Sequence, residues 1–120
     1  MSFESPENES VLIGLANDYY RLVDRSDWDG MGNLFSESIR YRRNNLVLEG
    51  REQLVGFYMN DRKLSGNHTV SSLIYNPDNN SVLVKGSFIG TDDGEEVNFE
   101  FTDEFTFDEN NQIIERTTNY

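Results

Sequence analysis

The sequence predicts an α+β domain, with three helices in the first half packed on a strongly curved, mostly antiparallel sheet built from the second half. Three observations predict it. Apolar residues between Ser10 and Asp61 recur at helical spacing. Four later runs favour strand residues, and the clearest of them alternates with a period of two, which puts successive side chains on opposite faces of a strand. The breaks between those runs, Asn76–Asn80, Thr91–Gly94 and Asp108–Asn111, hold the Asn, Asp, Gly and Pro residues of turns. Helices followed by a meander describe a layered α+β fold. Helices covering one face of a bent sheet leave a cavity between the layers.

Each element has a local reason. Residues 1–9 read as a flexible N-terminal tail, leaving 10–120 as a single domain. Ser10 is placed to cap a helix running to about Arg25, with Val11, Leu12, Leu15, Ala16, Tyr19, Leu22 and Val23 on its apolar stripe. Asp27 opens a second, short helix over Trp28–Phe35. Ile39–Arg43 alternates as a strand, and Leu46–Leu48 is a shorter one closed by Glu49 and Gly50. Arg51–Asp61 is helical again, offering Leu54, Val55, Phe57 and Tyr58 for burial. The later strands fall near His68–Tyr75, Val82–Gly90, Glu95–Phe107 and Gln112–Tyr120.

Composition removes several classes of function. A chain of 120 residues can bury a core without disulfides. It has no cysteine, which excludes a thiolate metal site and a Cys nucleophile. Ten basic residues against 22 acidic ones, a net charge of −12, argue against nucleic acid as a partner. The first ten residues are polar and acidic, unlike a signal or transit peptide, and no apolar run approaches membrane length. A soluble, cytoplasmic domain with no metal, no cofactor and no membrane partner is the expectation.

The run from Val97 to Tyr120 is the most telling. Its odd positions read Phe99, Phe101, Asp103, Phe105 and Phe107, and its even positions Glu100, Thr102, Glu104 and Thr106. Asp103 therefore shares a greasy face, where a carboxylate resists ionising. A structural acid belongs on the other face.

Three stretches carry a resemblance to a known family: the Tyr19–Trp28 run with Leu34, Phe35 and the strand to Arg43; Gly50–Tyr58; and Phe101–Asp108 with Ile113. Together they resemble the superfamily of ketosteroid isomerase, SnoaL-like polyketide cyclases and scytalone dehydratase, across about Asn17 to Tyr120. The resemblance implies the cone-shaped fold of nuclear transport factor 2, with a mixed sheet and a hydrophobic pocket. It puts the family's oxyanion-hole tyrosine on Tyr19, its protonated Asp on Asp103 and the tyrosine supporting the first on Tyr58. A carboxylic acid kept neutral by an apolar site is known from ketosteroid isomerase itself. The general-base Asp falls on Arg43, which cannot take a proton. Glu49 is the only carboxylate nearby to replace it. Arg116 and Tyr120 fall on apolar and aromatic pocket positions, and two arginines facing one cavity suit an anionic group. His68 lies near the catalytic histidine of the dehydratase branch, and Asp24 matches an Asp common to both branches.

Each residue also has a structural reading. Tyr19 can be plain core, Asp103 can pair with Arg116 or Arg43, His68 can sit at a strand start, and Asp24 can cap a helix end. The Asp92–Glu96 run is a solvated hairpin tip. Two functions therefore stay open. One is an isomerase, dehydratase or cyclase that stabilises an enolate through Tyr19 and Asp103, with Arg43, Tyr58, His68, Arg116 and Tyr120 around an anionic or carbonyl-bearing ligand. The other is a non-catalytic ligand-binding module or a dimeric interaction module, the family commonly pairing as a homodimer through the outer sheet face. Steroid isomerisation itself fits least, because of Arg43.

Overall fold

A computed structural model describes residues 6–120. The chain runs α1 (Pro6–Asp24), α2 (Trp28–Gly32), β1 (Phe35–Arg43), β2 (Leu46–Glu49), α3 (Arg51–Asn60), β3 (Leu64–Asn76), β4 (Ser81–Asp92), β5 (Glu95–Phe107) and β6 (Ile113–Asn119). The first helix begins at Pro6 rather than Ser10, which corrects the assignment of residues 6–9 to a tail; residues 1–5 lie outside the described residues. Proline suits a helix start, where its missing N–H is not needed. The helix stops where Ser26 takes φ 56°, with its N–H donating to the Val23 carbonyl at 2.9 Å.

Asp27 caps α2 as expected, accepting from the Gly30 N–H at 2.9 Å. The helix ends at Gly32 instead of Phe35, because Phe35 is already the first residue of β1 and fully buried. The adjoining Leu34 carbonyl accepts from Ile113 N–H at 2.8 Å, which ties the start of β1 to β6.

The six strands form one open sheet in the order β2-β1-β6-β5-β4-β3. Only β1 and β6 run parallel; the other neighbours are antiparallel. A register shift between Val70 and Ser72 marks a bulge in β3, and bulges bend strands. Gly86 lies opposite it. A Cβ there would come within 2.9 Å of the Phe101 ring and collide with the Thr69 carbonyl, so the missing side chain lets β3, β4 and Phe101 close up.

The core sits between α1, α3 and the concave face. Leu12, Ala16, Tyr19, Tyr20 and Val23 of α1 pack with Val82, Val84, Phe101, Phe105 and Phe107. Burying each large apolar side chain contributes about 1.5–3 kcal/mol. No helix among the described residues is long and apolar enough to cross a membrane.

Candidate functional site

Alternation in β5 holds. Phe101, Asp103, Phe105 and Phe107 are buried, while Glu100 is exposed and Thr102, Glu104 and Thr106 are half-buried on the other face. On β6, Arg116 and Thr118 also point inward, at 4% and 5% exposure, with Thr118 in register with Asp103. Tyr41 of β1 reaches the same place, opposite Arg116.

Arg116 is the hub of what meets there. Its Nη1 donates to the Tyr19 hydroxyl at 2.7 Å and the Tyr58 hydroxyl at 2.8 Å. Its Nη2 donates to Asp103 Oδ2 at 3.0 Å. Tyr20 donates to the same carboxylate oxygen, Thr118 donates to Oδ1, and Tyr19 and Tyr58 bond to each other. The guanidinium lies 4.2 Å from the Tyr19 ring centroid and 4.5 Å from that of Tyr41. Its Nε is the one buried side-chain polar atom among the described residues that lacks a hydrogen-bond partner, while the guanidinium carbon sits over those π faces.

Burial opposes the Arg116 charge, but Asp103 and then the tyrosines outweigh it and hold the guanidinium's pKa above its ordinary value. Burial pushes Tyr19 up, against the pull of Arg116. Tyr20 is raised by burial and by the neighbouring Asp103, and Tyr41 is pushed up to about 12 by burial.

These contacts revise the expected oxyanion hole. Both Asp103 oxygens accept hydrogen bonds, and at 1% exposure its carboxyl group pairs with Arg116. Tyr19 and Asp103 do come together, but through Arg116, which fills the space between them. Arg116 is correspondingly not free to hold an external anion. The Tyr58 and Tyr19 hydroxyls bond to each other.

The remaining candidates divide between two clefts. Arg43 is half-buried at the open end of the sheet, with its guanidinium 5.9 Å from the Phe57 ring and 5.8 Å from that of Tyr120. This rim, with Phe99 and Leu64, lines a cleft of about 580 Å³. Tyr120 is 54% exposed and packs edge-on against Phe99. Glu49 faces outward and pairs with Arg40 at 3.4 Å, so it supplies no base to the interior.

His68 lies elsewhere, on β3 against α1. Asp24 holds it at two points: Oδ2 accepts from the His68 backbone N–H at 2.9 Å, and Oδ1 lies 2.6 Å from Nδ1. Rings of Phe88, Tyr20 and Phe101 surround the imidazole at 4.8–5.6 Å. Burial pushes its pKa below the ordinary value, against the raising effect of Asp24. The pair opens on a cleft of about 500 Å³ lined also by Asn17, Tyr20, Arg21, Arg25 and Asn67.

Sequence reasoning weighed His68 and Asp24 separately and missed their pairing; no local pattern links residues 44 positions apart. It also passed over Tyr20, Tyr41 and Thr118. Alternation could have found the last two, since Tyr41 shares a face with Ile39, and Thr118 with Arg116.

Solved structures share this architecture. A protein named as a SnoaL-like polyketide cyclase candidate from Jannaschia sp. CCS1 aligns with TM-score 0.81 at 18% identity, over 97% of this chain and 88% of its own. The epoxide hydrolase/cyclase-like enzyme SalBIII, described with a role in pyran ring formation in polyether salinomycin, gives 0.80 at 19%, over 92% and 91%. An NTF2-like protein of unknown function from Burkholderia pseudomallei K96243 gives 0.79 at 12%, over 91% and 89%. At these identities the likeness is one of fold. No curated protein matches the sequence. The model of the SnoaL-like domain matches residues 16–116, and the chain belongs to that family.

Proposed function

We propose that this protein is an enzyme of the isomerase, dehydratase or cyclase kind that moves a proton on a small anionic or carbonyl-bearing substrate, with Asp24 and His68 as its acid–base pair. The observation that carries the reading is the two-point hold of Asp24 on His68, with 2.6 Å between Oδ1 and Nδ1. A carboxylate at Nδ1 fixes the proton there and leaves Nε2 to accept another. The lowered pKa keeps the ring neutral at neutral pH, the form a general base needs. Arg25 and Asn67 beside it suit an enolate or a carboxylate, with Arg21 already paired to Asp18 at 2.8 Å.

This assignment replaces the base that the resemblance would put at Arg43. Tyr19, Asp103 and Arg116 then support the fold under the cleft, their hydrogen-bonding capacity spent on one another. Deuterium exchange tests it. Acetoacetate or levulinate is incubated with the protein in D2O, and loss of the α-proton signal is followed by NMR. His68→Gln and Asp24→Asn should slow exchange by about 100-fold or more, the usual share of a general base. Exchange at the buffer rate with the parent protein, or an unchanged rate in His68→Gln, sinks the reading.

A second reading rests on the rim. Arg43 makes no ion pair among the described residues and sits against aromatic rings at an open cleft, which suits non-catalytic capture of an aromatic anion. Under it, 2-naphthoate binds, Arg43→Met weakens binding, and His68→Gln has no effect. Pairing of two copies through the outer sheet face belongs to the same reading; its Glu100 and Glu104 would make that interface polar, and light scattering would report the mass.

A further inference from the structure

Counting protons in the buried network points to a second cavity, which shares Asp24 with the cleft of the proposed acid–base pair. Arg116 Nη1 donates to both the Tyr19 and Tyr58 oxygens, and those oxygens bond to each other. Two hydroxyl protons are available, and the contact between the tyrosines uses one. Tyr19 is 1% exposed and wedged among Tyr20, Phe35 and Phe105, at 4.9, 6.1 and 5.4 Å between centroids. A spare proton on Tyr19 would be stranded, so Tyr19 donates to Tyr58 and the spare proton belongs to Tyr58.

Tyr58 also forms a wall of a small cavity of about 90 Å³, lined with Asp24, Trp28, Arg62, Ser26 and Ser65. Arg62 lies 5.3 Å from the Tyr58 ring centroid and gives one N–H to the Leu64 carbonyl at 3.1 Å. It has no ion-pair partner among the described residues. Asp24 is the one acid in the wall, and both of its oxygens are already bonded to His68.

We propose that this cavity binds a compact carboxylate, held by the planar fork of Arg62 and by the spare Tyr58 hydroxyl proton. A charged planar donor and a hydroxyl donor lining one small cavity suit a carboxylate. At about 30 Å³ per water, the space holds roughly three waters or a carboxyl group with a short chain. The ligand is either a free small anion or the acid end of a longer molecule. The site stands whether or not His68 moves a proton.

The test is an NMR titration of the full chain with formate, acetate and hexanoate. Saturable shifts are expected around residues 23–28 and 58–66. Arg62→Gln should weaken acetate about 10-fold or more, and Tyr58→Phe several-fold, the usual worth of charged and neutral hydrogen bonds. Lys85→Gln, on the outer sheet face, should change nothing. Tighter binding of hexanoate than acetate identifies the acid end of a longer molecule, and exclusion of hexanoate identifies a free small anion. If Tyr58→Phe does not fold, Arg62→Gln decides alone, since Arg62 lies outside the core cluster. Absence of saturable shifts, or unchanged affinity in Arg62→Gln, overturns the proposal. Because the readout is binding, its failure is distinct from a failed exchange assay.

Discussion

Removing the cation from the core should cost more than removing the whole ion pair. Arg116 and Asp103 are 4% and 1% exposed and 3.0 Å apart. Arg116→Met leaves the Asp103 charge buried with only two hydroxyl donors, and breaking such a pair from one side costs about 3–5 kcal/mol. Asp103→Leu strands the guanidinium at a similar cost of about 3–5 kcal/mol. The double variant contains neither charge. Thr118 keeps Tyr41, 3.0 Å away, and Tyr19 keeps Tyr58. Only the Tyr20 hydroxyl loses its acceptor, at about 1–3 kcal/mol. Urea denaturation, with m values compared to confirm two-state unfolding, should therefore show the double variant more stable than either single. Independent sites would instead add to roughly 6–10 kcal/mol. That additive result would refute Arg116 and Asp103 as a coupled pair and would reopen a free carboxyl at Asp103.

Two further outcomes follow from the same coordinates. The folded pKa of His68 is below its ordinary value of 6.5, so the unfolded chain takes up the proton first. His68 therefore favours the folded state fully above about pH 6.5, and this is lost as the pH falls through the folded value; His68→Gln should flatten the urea midpoint across that window. Gly86→Ala forces a methyl group against Phe101 and the Thr69 carbonyl and should cost about 1–3 kcal/mol by overpacking. Phe101→Leu in the same chain should recover part of the loss, measured by thermal melts.

The α+β layering, the turns and the inward face of β5 were legible because they rest on local periods. So was the burial of Asp103 among phenylalanines. The start of α1 was misplaced by the attraction of Ser10 as a cap, when Pro6 begins a helix as readily. The partner of Asp103 was narrowed to Arg116 or Arg43 without a choice between them. Alternation gives a face but no register, and it was the pairing of β5 with β6 that brought Arg116 alongside. The same limit hid Asp24 from His68, since a helix end and a strand start meet only through packing. The parallel pairing of β1 with β6 has no sequence period at all.

That parallel pairing has a bearing on synthesis. The strand made last is the one that joins the two halves of the sheet, with β1 on one side and β5 on the other. While the chain is still emerging from a ribosome, β1–β2 and the β3–β5 meander can each form but cannot meet. Two strand edges stand open in that interval, the kind of surface that recruits other chains. The acid on β5 also waits without its cation until Arg116 emerges, so assembly of the sheet and neutralisation of its interior happen in one late event.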